Sequence, residues 1–130
     1  MVVVFEKKLE QFEKAFLSLK RALDQERNEF VRDSIIQRFE FCTEMMWKAL
    51  KYYLLEKNGI EVKSPKEAMR EARNLGLLKE KETIVAIQML DDRNQTSHTY
   101  DEDFALEMIE NIEDYVELMG EILRNLKSNL

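Results

Sequence analysis

Length, composition and charge already exclude several classes of protein. The chain has 130 residues, 45% hydrophobic and 35% charged, a balance typical of a soluble, helical, single-domain protein. Its net charge of −6 argues against sequence-independent binding of nucleic acid, which needs clustered lysine and arginine. The apolar start from Met1 to Val4 is too short for a signal peptide or a membrane span, so we expect a cytoplasmic protein with no membrane contact.

The first half of the chain predicts two long helices. One proline and three glycines leave little turn chemistry for hairpins, which favours an all-α fold. An apolar stripe with alternating spacings predicts a first helix to about Glu26: Phe5, Leu9, Phe12, Phe16, Leu19 and Leu23. A second helix of about 25 residues should end at Asn58-Gly59, where glycine adopts the left-handed conformation of a helix stop. The single Cys42 and Trp47 fall on or beside its buried stripe, so we expect both in the core.

The middle of the chain holds most of the basic residues. Ser64-Pro65-Lys66-Glu67 reads as a capping box with proline at the first helical position, and it predicts a short helix closed by Gly76. Three cations lie on its outer face: Lys66, Arg70 and Arg73. Since Asp101 to Glu117 contains acids and no base, this middle face is the one expected to contact RNA or an acidic partner.

Two more helices complete the predicted fold. Helix four should begin between Lys79 and Glu82 and end around Ser97, through the apolar run Ile84, Ile87 and Leu90. Thr99 then caps helix five, with Tyr100 on its first turn and Glu102 completing a capping box. The stripe of helix five continues to its end: Ala105, Met108, Ile112, Tyr115, Met119, Ile122 and Leu126. We therefore predict an all-α, antiparallel up-and-down four-helix bundle with one short extra helix.

The candidate site lies between helices four and five. The only histidine, His98, follows Arg93 by five residues and precedes Tyr100 by two. On an unbroken helix, residues five apart are rotated by about 140°, so Arg93 and His98 converge only through local unwinding or a second chain. Asn94 shares a face with His98 and could orient its imidazole. The alternative is structural: Arg93 pairs with Asp91, Asp92 or an acid of helix five, and His98 merely ends a helix.

This arginine-histidine-tyrosine spacing resembles the motif of HEPN ribonucleases, and among them the HepT-like toxins that pair with a minimal nucleotidyltransferase. It is also similar to the nucleotidyltransferase substrate-binding proteins, whose second-helix motif resembles the segment from Arg32 to Phe41 with Glu44, Trp47 and Lys48. The likeness covers most of the chain, which implies a single HEPN-like domain over residues 1–130. The chain departs at Cys42-Thr43 and Met45-Met46, which are packing positions.

The resemblance implies a metal-independent endoribonuclease that needs no cofactor. Arg93 and His98 would be catalytic, Asn94 would orient the histidine, and Tyr100 would accept AMP from the partner nucleotidyltransferase. Cleavage by the RNA 2′-hydroxyl needs one base and one acid, yet each chain has one histidine, so we expect a homodimer with a composite cleft. The competing hypothesis is a non-catalytic substrate-binding or accessory subunit of a two-component nucleotidyltransferase. Sequence alone does not separate the two.

Overall fold

The computed structural model describes residues 3–98 and 102–129. These residues form five helices and no strand: α1 (Val3–Leu23), α2 (Glu29–Asn58), α3 (Pro65–Asn74), α4 (Glu80–His98) and α5 (Glu102–Ser128). The four long helices pack as an antiparallel up-and-down bundle, while the short α3 contacts α2 and α4. The predicted fold class is thus confirmed. None of the helices in this described part of the chain is both long and apolar enough to cross a membrane.

Helices α1 and α2 form an antiparallel pair. The backbone N–H of Phe5 donates to the Glu56 carboxylate at 3.3 Å, so the start of α1 meets the end of α2. α1 stops at Leu23, a little before the expected end. α2 has 30 residues and is longer than predicted, because Asn28 caps it: the side-chain oxygen accepts from the Val31 N–H at 2.9 Å. Its end at Gly59, with a φ of 68°, is as predicted.

Helix α3 begins with the predicted cap, in a slightly different form. The Ser64 hydroxyl accepts from the Glu67 N–H at 3.2 Å, whereas the Glu67 carboxylate accepts from the N–H of Lys63 at 3.0 Å. The reciprocal bond therefore reaches one residue further back than in a standard capping box. α3 ends at Asn74, and the chain turns through Gly76, whose φ is 78°. These contacts fix where α3 meets the bundle.

The core follows the predicted stripe most closely in α5, whose seven stripe residues are all buried. α4 differs from the prediction, because Ile84 is 65% exposed and Ile87 only half-buried, while Ala86, Met89 and Leu90 are buried. Ala86, Met89 and Leu90, together with Thr83, thus form the buried face of α4, and Ile84 lies outside that face. The predicted apolar run is longer than one bundle face needs.

Candidate functional site

An open cleft of about 280 Å³ lies where the middle of α2, the start of α3 and the end of α4 meet. Three of the predicted site residues line it together: Lys66, Arg93 and Asn94. The remaining lining residues come from all three helices and from the Ser64 cap: Thr43, Glu44, Trp47, Ser64, Pro65 and Leu90. The cleft is therefore partly apolar and partly cationic, and it contains one carboxylate.

Glu44 organises the α2 side of this cleft. Its carboxylate lies 3.4 Å from a terminal guanidinium nitrogen of Arg93 and 3.3 Å from the Lys48 ammonium. It also accepts from the indole N–H of Trp47 at 3.3 Å. The Arg93 and Glu44 side chains are only 30% and 31% exposed, so the pair is partly shielded from water. Arg93 is accordingly held in a fixed position at the cleft wall.

The structure gives Arg93 an acidic partner that the sequence did not suggest. Asp91, Asp92 and an acid of α5 were the candidates, and an ion pair within the described part of the chain joins Arg93 to Glu44 of α2. Asp91 instead pairs with Lys66 of α3 at 2.6 Å. The reason is helical geometry: consecutive residues point about 100° apart around the axis, so neighbours on α4 face different helices. An arginine and acids next to it in sequence need not meet.

Asp92 faces the core side of α4. Its carboxylate accepts a hydrogen bond from the hydroxyl of Tyr115 in α5, a residue only 1% exposed. Burial raises the pKa of Asp92 above its usual value, although the bond to Tyr115 opposes this. Burial, and then the bond to Asp92, also raise the pKa of Tyr115, which therefore stays a hydrogen-bond donor. This pair ties the end of α4 to α5.

The three basic residues predicted on α3 have different environments. Lys66 is half-buried, paired with Asp91 and part of the cleft wall. Arg70 and Arg73 are exposed on the same helix and do not line the cleft. The structure therefore brings one of the three to Arg93 and leaves the other two on the outer surface of α3.

Helix α4 continues without interruption from Glu80 to His98. The helix is therefore not unwound between Arg93 and His98. On a continuous helix these two positions are rotated by about 140° about the helix axis. The side chain of His98 and the whole of Tyr100, like the predicted Thr99 cap, lie outside the described residues. Of the two routes that the sequence analysis considered, a second chain remains the predicted one for bringing Arg93 and His98 to one cleft.

Other chemistries receive no support from the described residues. Over residues 3–98 and 102–129 no group of three or more histidine, cysteine, aspartate or glutamate side chains could hold a metal ion. Cys42 is fully buried beside Met119, and burial raises the pKa of its thiol to about 12. The thiol is therefore inert, and the prediction of a core cysteine is confirmed.

Glu44 and Trp47 line the cleft, although the sequence analysis predicted neither as a site residue. The core interpretation of Trp47 is half right, since the indole is half-buried against the core and also lines the cleft. A signal was present: Glu44, Trp47 and Lys48 are three and four residues apart and therefore share one face of α2. A carboxylate, an indole and an ammonium on one face indicate more than packing.

Comparison with known proteins agrees with this geometry. Residues 7–128 match the family described as nucleotidyltransferase substrate binding protein like. The chain belongs to this family. It is also 33% identical, over 129 residues and 87% of each chain, to a protein of Haemophilus influenzae named probable ribonuclease HepT. The predicted HEPN, HepT-like membership is thereby confirmed.

Solved structures show the same fold. A crystal structure of a Thermus thermophilus protein is 44% identical, with a TM-score of 0.84 over 88% of this chain and 98% of that one. A tri-AMPylated HEPN toxin of Shewanella oneidensis, solved with its MNT antitoxin, has a TM-score of 0.75 at 14% identity, over 96% and 97% of the two chains. At 14% identity, the similarity to the S. oneidensis toxin shows only that the two chains share the HEPN fold.

Proposed function

We propose that this protein is a metal-independent endoribonuclease, the toxin of a pair whose antitoxin is a minimal nucleotidyltransferase. The observation that supports it best is the cleft, in which Arg93, Asn94 and Lys66 lie together at the end of α4. The helix then runs on to His98, so the predicted acid-base residue follows within about 8 Å of helix rise. The probable ribonuclease of H. influenzae supports the same activity.

The residues of this chain have distinct roles in that reaction. His98 removes the proton of the RNA 2′-hydroxyl, whose oxygen bonds to phosphorus while the bond to the 5′-oxygen breaks. The leaving 5′-oxygen takes a proton from a second acid. Arg93 binds the phosphate and stabilises the charge that develops on it. The products are a 2′,3′-cyclic phosphate and a 5′-hydroxyl.

The second acid comes from a homodimer. One histidine per chain supplies one proton-transfer group, and two-fold symmetry places two copies of the same surface against each other. Ile84, 65% exposed on α4, and Leu106, 48% exposed near the start of α5, are apolar side chains on the two helices where we expect the interface. Light scattering at micromolar concentration should give the mass of a dimer, and a monomer would contradict the composite site.

RNA cleavage in the presence of a chelator tests the activity. The wild-type protein should cleave total RNA, whereas Arg93→Ala and His98→Ala should not. Arg124→Ala is the matched control, because Arg124 is an exposed arginine of α5 that pairs with Glu121 and lies outside the cleft. RNA cleavage by both the Arg93→Ala and the His98→Ala protein would contradict the ribonuclease assignment.

Tyr100 is the proposed site of control. The partner transfers AMP from ATP to the phenolic oxygen with release of pyrophosphate, and the new phosphodiester brings negative charge to a site that must bind RNA phosphate. The tri-AMPylated toxin of S. oneidensis supports this regulation. Incubation with the partner, ATP and magnesium should add one or more AMP units to the intact mass. The shift should disappear in Tyr100→Phe. It should persist in the control Tyr52→Phe, because Tyr52 is a half-buried tyrosine of α2 outside the cleft.

The alternative is a non-catalytic substrate-binding or accessory subunit. The ion pair between Arg93 and Glu44 favours it, because it gives the arginine a structural role that needs no RNA. The family description favours it too. A protein that binds the nucleotidyltransferase tightly, remains unmodified and cleaves no RNA would support this second function.

A further inference from the structure

The cleft has an aromatic wall that the proposed cleavage reaction does not use. Trp47 and Leu90 supply its apolar surface, and Arg93 and Lys66 its positive charge. Phosphate binding alone would require only the cations. An indole beside two cations is instead the combination that binds an unpaired nucleotide, since the aromatic ring stacks on a base while the cations bind its phosphate.

Trp47 is held in place for such a role. Its indole N–H donates to Glu44 at 3.3 Å, and the Lys51 ammonium lies 5.7 Å from the centre of the ring. The side chain is half-buried against the core. A ring fixed at its edge loses little conformational entropy when a ligand stacks on it. The indole is therefore a fixed aromatic group at the wall of the cleft.

The two cations of the cleft are held by carboxylates. Arg93 contacts Glu44 and Lys66 contacts Asp91. An ammonium has three N–H donors, more than one carboxylate oxygen accepts, so Lys66 can also donate to a phosphate oxygen. The carboxylates thus position both positive charges at the cleft. The Ser64 hydroxyl, which accepts from Glu67, still has its own hydrogen to donate.

We propose that this cleft binds one unpaired nucleotide, with the base against Trp47 and the phosphate at Arg93 and Lys66. The volume of about 280 Å³ is near the lower end of small-molecule sites, about 300 to 1,000 Å³, which fits a single nucleotide and excludes a double helix. Where the occupant is a nucleotide of RNA, Trp47 selects a single-stranded substrate. This inference rests on the site of the proposed function, and its occupant is either an RNA nucleotide or a free adenine nucleotide.

The chain carries its own probe for this contact, because Trp47 is its only tryptophan. A base that stacks on the indole should quench its fluorescence. We would titrate the His98→Ala protein with a short single-stranded 2′-O-methyl oligonucleotide, with the same oligomer made abasic, and with ATP. Saturable quenching by the oligonucleotide but not by its abasic form supports binding of an RNA nucleotide in the cleft. Quenching by ATP alone supports binding of the ATP that the nucleotidyltransferase uses. Quenching by neither ligand overturns the proposal.

Variants test the same contact without fluorescence from the tryptophan. Trp47→Leu should lower the affinity for labelled single-stranded RNA by roughly 5- to 150-fold, the range given by base stacking on aromatic residues, and Trp47→Phe should lose less. Phe41→Leu is the matched control, an aromatic of α2 that is 57% exposed and outside the cleft. Melting temperatures check that each variant is folded.

The outcomes separate this inference from the proposed function. If the intact oligonucleotide quenches Trp47 but the wild-type protein cleaves no RNA, nucleotide binding in the cleft is supported and the ribonuclease activity is rejected. If the wild type cleaves RNA but Trp47→Leu binds single-stranded RNA with the same affinity as the wild type, the ribonuclease activity is supported and base stacking on Trp47 is rejected. An equal loss in Phe41→Leu and Trp47→Leu would also reject it, because the effect would then not be specific to the cleft.

Discussion

The two ends of α4 are held in different ways. At its start, the Glu82 carboxylate accepts from the N–H of Lys79 at 2.8 Å, and the Thr83 hydroxyl donates to the Lys79 carbonyl at 2.9 Å. Every one of these contacts is local. Near its end, three consecutive charged residues each reach another helix, in the order α3, α5 and α2: Asp91 to Lys66, Asp92 to Tyr115 and Arg93 to Glu44.

The start of α4 therefore contributes mainly to local stability, whereas its end also positions the functional cleft. Local capping sets where a helix begins and depends little on the rest of the fold. A turn that binds three neighbouring helices instead fixes the relative positions of all of them, and here it fixes the cleft that contains Arg93. Changes near the end of α4 should therefore affect the whole bundle and the site together, whereas changes at its start should stay local.

The largest effect is expected from Asp92→Ala. The substitution leaves the hydroxyl of Tyr115, a residue 1% exposed, without its acceptor, and an unsatisfied buried polar group costs about 1–3 kcal/mol. Urea unfolding should show this loss, and hydrogen exchange should rise in both α4 and α5. Tyr115→Phe should cost less, because it removes the buried hydroxyl and leaves the carboxylate of Asp92, which is only half-buried and can accept from water. Equal stability of Asp92→Ala and wild type would show that the pair does not hold α4 to α5.

The next effect is the coupling between Arg93 and Glu44. A double-mutant cycle with Arg93→Ala and Glu44→Ala should give a coupling free energy of about 0.5–1 kcal/mol, because both side chains are about two-thirds shielded. The same cycle with Arg124 and Glu121, a pair with 66% and 43% exposed side chains, should give less. If the coupling free energy of Arg93 and Glu44 is no larger than that of Arg124 and Glu121, the ion pair does not hold Arg93 in place at the cleft wall.

A smaller and local effect is expected from Glu82→Ala. Loss of the bond to the Lys79 N–H removes a helix cap, and loss of the charge removes a favourable interaction with the helix dipole, together about 0.5–1 kcal/mol. Hydrogen exchange should increase only in the first turn of α4. Glu82→Gln can still accept the hydrogen bond, so it should lose only part of this stabilisation free energy. An increase that reaches Arg93 would contradict the independence of the two ends.

Sequence reasoning predicted the locally determined features and missed the contacts between helices. The Ser64 cap, the Gly59 stop and the buried stripe of α5 were correct, because each depends on residues within one or two turns. The pairing of Arg93 with Glu44 was not foreseen and Trp47 was only half understood, because these depend on which faces of α2, α3 and α4 meet. That relation follows from packing of the whole bundle, and no spacing within a single helix encodes it.

The finest distinction concerns pH, and it uses Asp92→Asn. The folded protein raises the pKa of Asp92 above its usual 3.8, with burial as the main cause, so protonation favours the folded state. That contribution is fully present below pH 3.8 and is lost as the pH rises through the higher folded value. The asparagine of the variant would keep an acceptor for Tyr115 but would not titrate. The free energy of unfolding of the wild type, minus that of the variant, should therefore fall as the pH is raised from below 3.8 towards neutrality. Urea unfolding across this range measures it, and a difference that rises with pH would mean that the Tyr115 bond outweighs burial.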